Sequence, residues 1–371
     1  MSHYRLLRTD RRWAGRAGAL LSVVVLAAVT VLFGPPPAAV AAAGSPALTS
    51  PLAGAAPPAG SATRSGTPVA AAAYPDPLPV TGNITVHDPA AVRDATGAFA
   101  VYSTHNGIEI RTSPDRAAFT RTGSVLPNGA TWATAYSSNV KDLWAPDVSF
   151  HNGQYYLYYA VSSFGSNTSA IGLATSPTGR AGSWTDRGLV YASAAGGDFN
   201  AIDPNLTVDP AGRWWLALGS WWTGIKMIQL DPATGKPLGS NPTRFNLAAR
   251  TSTSLGIEAP FVFAHGGFYY LFVSWDLCCR GVNSTYHVMV GRSASITGPY
   301  TDRSGVRMAS GGGTEVVATH GRFIGPGGQS VYTDGGEDLF VYHYYDGAAQ
   351  GTPKLAINRL GWDSAGWPVL R

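Results

Sequence analysis

An all-β architecture is predicted by three features of this 371-residue sequence. Charged residues make up 13% and aromatics 11%, while 45 glycines mark frequent turns, a composition that suits many short strands joined by tight loops. A turn glycine followed by an aromatic, β-branched run recurs at Gly97, Gly153, Gly212, Gly267 and Gly336, at intervals of 56, 59, 55 and 69 residues. Nine residues before three of these glycines stands an acid: Asp88, Asp203 and Glu258. A repeated unit of this length reads as one small antiparallel sheet, and five of them predict a five-bladed β-propeller, in which radial packing leaves only short, protected edges.

In chain order, residues 1–42 read as a secretory signal peptide. Arg5, Arg8, Arg11, Arg12 and Arg16 precede an apolar run from Ala17 to Phe33, and small residues around Ala39-Val40-Ala41 offer a cleavage site. Residues 43–75 are rich in Ala, Pro, Gly, Ser and Thr and read as a disordered linker, because they hold too little apolar surface to offset their ordering entropy. The propeller is assigned to residues 76–371. Five of the 26 basic residues and one of the 22 acidic residues fall in the first 42 positions, which leaves 21 of each for the remainder. The basic balance of the whole chain therefore argues for neither a nucleic-acid partner nor a membrane surface once the signal is removed, and a monomer is expected.

Blade I opens on Val86-His87-Asp88-Pro89 and blade II on Trp144-Ala145-Pro146-Asp147. Blade III opens on Ala201-Ile202-Asp203-Pro204-Asn205, blade IV on Ile257-Glu258-Ala259-Pro260-Phe261, and blade V on Gly325-Pro326-Gly327-Gly328-Gln329, without an acid. Each blade's innermost strand starts near one axis, so this grammar brings Asp88, Asp203 and Glu258 together. Cleaving a glycosidic bond takes one protonated carboxyl and one ionised carboxylate. Glu258, between apolar neighbours, suits the acid, and Asp88, beside His87, suits an ionised base. Asp203 can hold the acid's pKa up by like-charge repulsion. The two cysteines, Cys278 and Cys279, are adjacent, and the sequence leaves open whether they form a vicinal disulfide or two thiols.

These openings, together with the stretch from Cys278-Cys279-Arg280-Gly281 to Tyr286, closely resemble glycoside hydrolase family 43, and within it the endo-acting α-1,5-L-arabinanases. The resemblance runs from about Pro79 to Leu370. It implies arabinan or arabino-oligosaccharides as substrate and an inverting mechanism, with Asp88 as general base, Glu258 as general acid and Asp203 as pKa modulator. It also implies stacking roles beside the cleaved bond for Trp144 and Phe164, and Asn200, Asn205 and Ser220 are expected to meet sugar hydroxyls. Trp221 and Trp222 read either as rim aromatics or as blade core. Where many arabinanases carry Gly-Pro-Gly-His with a channel ion, this chain reads Gly-Pro-Gly-Gly. That departure removes the expected histidine ligand and leaves Gln329 and His320 as candidates for a structural calcium or sodium ion, with no cofactor required for the chemistry. Three alternatives remain open at this stage: an exo-acting arabinofuranosidase or β-xylosidase of the same family, a non-catalytic sugar-binding propeller, and a retaining levan- or sucrose-active propeller.

Overall fold

The computed structural model describes residues 74–252 and 255–371. The signal segment and nearly all of the linker lie outside them. Two residues assigned to the linker bond to the propeller: Tyr74 donates a hydrogen bond to Glu315, and the Pro75 carbonyl accepts one from Asn358 Nδ2 at 3.4 Å.

Five sheets of four or five strands make the five blades. Their innermost strands are Ala90–Arg93, Trp144–His151, Asn205–Val208, Ile257–His265 and Phe323–Asp334. Each touches the next around the ring, and the fifth touches the first, so a central channel is closed. The repeated glycines lie in the turns between the first and second strands, and all five adopt φ between 75° and 88°. A side chain at these positions would meet no crowding; the left-handed backbone is what favours glycine there. The aromatic runs that follow form the second strands. Those of blades I and III, Phe99–Ser103 and Trp214–Leu218, are buried along their whole length because neighbouring blades cover both faces. Residues 78–86 run from blade I onto blade V, where the Leu78 amide donates to Ile357 O and the Leu355 amide to Ile84 O, at 2.8 Å each. Leu78, Val80 and Ile84 thereby join one apolar cluster with Leu339, Val341 and Ile357, which links the first blade to the last.

Each inner strand opens on a residue in the left-handed region followed by proline: Asp88, Ala145, Asp203, Ala259 and Gly325, with φ of 47°, 41°, 54°, 51° and 56°. In blades II, IV and V the strand register shifts at this point, as at a β-bulge. The inner strand is its blade's edge, so proline costs no ladder hydrogen bond there. The N–H groups beside it find acceptors in the preceding blade. Ala145 N–H donates to Thr104 Oγ1 (2.8 Å), Leu206 N–H to Asp147 Oδ2 (2.8 Å), Val262 N–H to Asn205 Oδ1 (2.8 Å), Gly328 N–H to Ser274 Oγ (3.1 Å) and Asp88 N–H to His343 Nδ1 (3.1 Å). All five blade interfaces are clamped in the same direction.

Asp147 also accepts from Asn205 Nδ2 at 3.0 Å and is 5% exposed. Replacing it with alanine leaves two buried donors without a partner. Asp147→Ala is expected to lower stability by about 2–4 kcal/mol, read as a lower urea midpoint with an unchanged slope.

Candidate active site

The three acids arise from the proline bulges. Asp88 and Asp203 are themselves the left-handed residues before proline, whereas Glu258 stands one position earlier, before Ala259-Pro260. The nine-residue frame that grouped them in the sequence is therefore displaced by one for Glu258. All three line one groove of about 1020 Å³ at the channel mouth, built from residues of all five blades.

Asp88 is held from several sides. Its Oδ2 meets His87 Nδ1 at 2.8 Å and accepts from the Thr104 hydroxyl at 2.7 Å, and His343 Nδ1 lies 3.6 Å from Oδ1. Burial alone would raise its pKa, but the charge and hydrogen bond of His87, the charge of His343 and the Thr104 hydroxyl together hold it well below the usual carboxylate range. The side chain is only 20% exposed, so it is less solvated than its flanking sequence suggested. His343, fully buried and stacked on His87 at 3.8 Å, is pushed well below the usual histidine range by burial first and by His87 second.

Glu258 and Asp203 are perturbed in the opposite sense. Burial raises the Glu258 pKa against two hydrogen bonds that favour its charged form, from Tyr286 Oη at 2.7 Å and Ser220 Oγ at 2.8 Å. Both partners are hydroxyls, so each can also accept the proton when Glu258 carries it. Asp203 is raised well above its ordinary value by burial, then by the Glu258 charge, then by Asp88. Its Oδ2 accepts from the Ala259 N–H at 2.9 Å, which ties it to the backbone beside Glu258. Two buried carboxyls that repel each other titrate as a pair, and that pair keeps a proton when an isolated carboxyl would have lost it.

Trp144, Phe164, Asn200 and Ser220 line the groove, as do Trp221 and Trp222. Phe164 is 85% exposed and so is not a core residue. The Asn200 Oδ1 is buried without a hydrogen-bond partner. Trp221 and Trp222, at φ 51° and 40°, are groove residues on an uncommon backbone. Asn205 does not reach the groove: it is 2% exposed, and its amide is spent bridging Asp147 and Val262 between blades. Sequence reasoning passed over Thr104, His343 and Tyr345. The first two stand on no motif, and Tyr345 is one of many aromatics in a second strand.

The ion expected in the channel fares poorly against the residues present. Gly328 offers no ligand, and a Cβ there would lie 2.4 Å from Asp88 Oδ1 and 2.8 Å from His343 Nδ1. Gln329 donates to Ala259 O at 2.6 Å and accepts from Ser274 Oγ at 2.8 Å. His320 is not a channel residue: it packs against Tyr74 and Phe323, and its Nδ1 faces Ala318 O. The cavity among the proline bulges measures about 30 Å³, room for about one or two waters and too little for a hydrated cation. His320 therefore lies outside the channel cavity that Gln329 lines.

An ionised carboxylate facing a pair that retains a proton is the combination glycosidic cleavage demands. Set in a groove of this volume on a propeller, it marks the class of carbohydrate-cleaving enzymes that work with carboxyl groups. Residues 79–368 match glycosyl hydrolases family 43, and the chain belongs to that family. It is 44% identical over 290 residues to the extracellular endo-α-(1→5)-L-arabinanase 1 of Bacillus subtilis, covering 77% of this chain and 88% of that protein. It is 40% identical over 303 residues to the extracellular exo-α-(1→5)-L-arabinofuranosidase of Cellvibrio japonicus, covering 77% and 86%. The structure of Cellvibrio cellulosa α-L-arabinanase complexed with arabinohexaose superposes with a TM-score of 0.75 at 38% identity, covering 78% of this chain and 96% of that one.

If Asp203 holds up the proton affinity of Glu258, removing its charge lowers the pKa of the carboxyl that remains. Asp203→Asn is expected to move the alkaline limb of the kcat/KM profile to lower pH, measured on a soluble arabino-oligosaccharide across that limb.

Proposed function

We propose that the protein is a secreted endo-α-1,5-L-arabinanase that cleaves internal arabinofuranosidic bonds with inversion. The observation that carries this reading is the convergence of Asp88, Asp203 and Glu258 on one groove, with the pKa of the first held down and those of the other two raised. Asp88 Oδ2 is occupied by His87 and Thr104, so Oδ1 takes the proton from the attacking water. Glu258 donates its proton to the departing glycosidic oxygen, and the negative charge it gains is received by Tyr286 and Ser220. For inversion the two carboxyls stand roughly 6.5–9.5 Å apart, with the sugar and its water between them. Asp203 keeps the proton available on Glu258 and fixes the backbone that carries it.

Arabinan as the substrate is supported by the named activities of the relatives and by the arabinohexaose complex of a structural neighbour. Endo action is supported by the groove, whose volume of about 1020 Å³ stands at the upper end of small-ligand sites and exceeds what one terminal sugar needs. The relative with exo activity keeps a second reading in view, in which the chain is trimmed from one end. Export is supported by the two relatives named extracellular.

Debranched linear arabinan separates these readings. Wild-type protein is expected to release a spread of medium-length oligosaccharides at early times, and arabinose or arabinobiose alone from the outset would establish the exo reading. Glu258→Gln keeps the side chain's shape but cannot donate the proton. It is expected to lower turnover by about 10²–10⁴-fold while binding oligosaccharide; wild-type turnover by this variant would remove Glu258 from the mechanism.

A further inference from the structure

Cys278 and Cys279 are joined as a vicinal disulfide, and both line the groove. The bond lies beside the base. Cys279 has φ 66°, a left-handed backbone that an L-residue other than Asn, Asp or Gly rarely adopts. In this conformation its N–H donates to Tyr345 Oη at 2.7 Å. Tyr345 Oη lies 2.8 Å from His87 Nε2, and His87 Nδ1 lies 2.8 Å from Asp88 Oδ2. Cys279 Sγ approaches the same His87 Nε2 at 3.8 Å.

Hydrogen-bond polarity gives this chain a direction. The Tyr345 oxygen receives the Cys279 N–H. The tyrosine O–H then turns toward His87 Nε2, 2.8 Å away. An imidazole that accepts at Nε2 has its ring proton on Nδ1, and His87 presents that N–H to Asp88 Oδ2.

We propose that the Cys278–Cys279 disulfide is a positioning element for the base: it holds the Cys279 amide on Tyr345, which fixes the tautomer and orientation of His87 against Asp88. This rests on the reading of Asp88 as the general base. The other groups facing the Asp88–His87 pair are Thr104 and His105 of blade I, Asp203 of blade III, Glu258 and Tyr286 of blade IV, and His343 and Tyr345 of blade V. Of these, Tyr345 alone is bonded to Cys279, and the effect of changing the cysteines is passed through it. A looser His87 gives Asp88 a weaker hydrogen bond, so the pKa of the base rises and the acidic limb of the rate profile moves to higher pH.

The test uses the full chain on debranched arabinan, with the pH dependence of kcat and kcat/KM recorded. Cys278→Ala/Cys279→Ala is expected to lose roughly tenfold to a hundredfold in kcat with KM little changed, and to move the acidic limb upward. Cys278→Ala/Cys279→Gly is expected to recover part of that loss, because glycine accepts the left-handed backbone without the cross-link. Tyr345→Phe is expected to reproduce the shift, and combining it with the cysteine changes should add little further. A rise in KM alone would overturn the proposal and make the disulfide a sugar contact. Full additivity with Tyr345→Phe would overturn it as well. The ¹⁵N signals of labelled His87 report the tautomer independently of turnover and are expected to change in each of these variants except the glycine one. Asp88→Asn separates the two readings: it is expected to be inactive. If it turns over arabinan while the His87 signals still follow the cysteine and tyrosine changes, the base assignment falls and the hydrogen-bond chain stands.

Discussion

Clamps between neighbouring blades at the proline bulges hold the channel mouth in place. An inner strand has a free edge, and its N–H groups face the axis where no further strand can pair with them. In this propeller each blade donates such an N–H to a side chain of the blade before it: Thr104, Asp147, Asn205, Ser274 and His343 are the acceptors. Each bond contributes about 0.5–1.5 kcal/mol net, but a buried donor left without a partner costs more. The ring is therefore specified five times over, and the residues at its upper rim inherit its rigidity. Asp203 belongs to both systems, since it receives the Ala259 N–H as a clamp and has its own proton affinity raised by burial and by the neighbouring Glu258 charge.

That double use explains how one small space holds carboxyls of opposite protonation. Asp88 meets His87 and the Thr104 hydroxyl by hydrogen bond and has His343 close by, and together they outweigh the penalty of burial. Asp203 and Glu258 are buried with fewer compensating groups and with each other as neighbours, so desolvation and repulsion prevail. Gly328, with no side chain, leaves room for Asp88 Oδ1 and His343.

Much of this was written legibly in the sequence. The five turn glycines announce the blades because a left-handed hairpin turn between aromatic strands has few other solutions. The three acids announce the site because their local contexts differ. A sharper frame was also present: the five X-Pro pairs from Asp88-Pro89 to Gly325-Pro326 mark the bulges themselves and place Glu258 one step out of phase with the two aspartates. Asn205 and Gln329 bond across blades for a common reason. Polar residues next to a bulge can point up into the groove or sideways to the next blade, and only the register of the neighbouring strand decides. Thr104, Tyr345 and His343 could not be placed beside Asp88 from spacing, since the last two lie about 250 residues away and reach it only because blade V closes against blade I.

The central claim is that Asp88 activates water while Glu258 protonates the leaving group, with no covalent intermediate. The most direct measurement is the anomeric configuration of the first product, followed by proton NMR in the opening moments of arabino-oligosaccharide hydrolysis, before mutarotation. The account predicts that β-L-arabinofuranose ends appear first, from α-linked substrate. If the α-anomer appeared first, Asp88 would be a nucleophile attacking the sugar itself, and the assignment of base and acid would have to be redrawn.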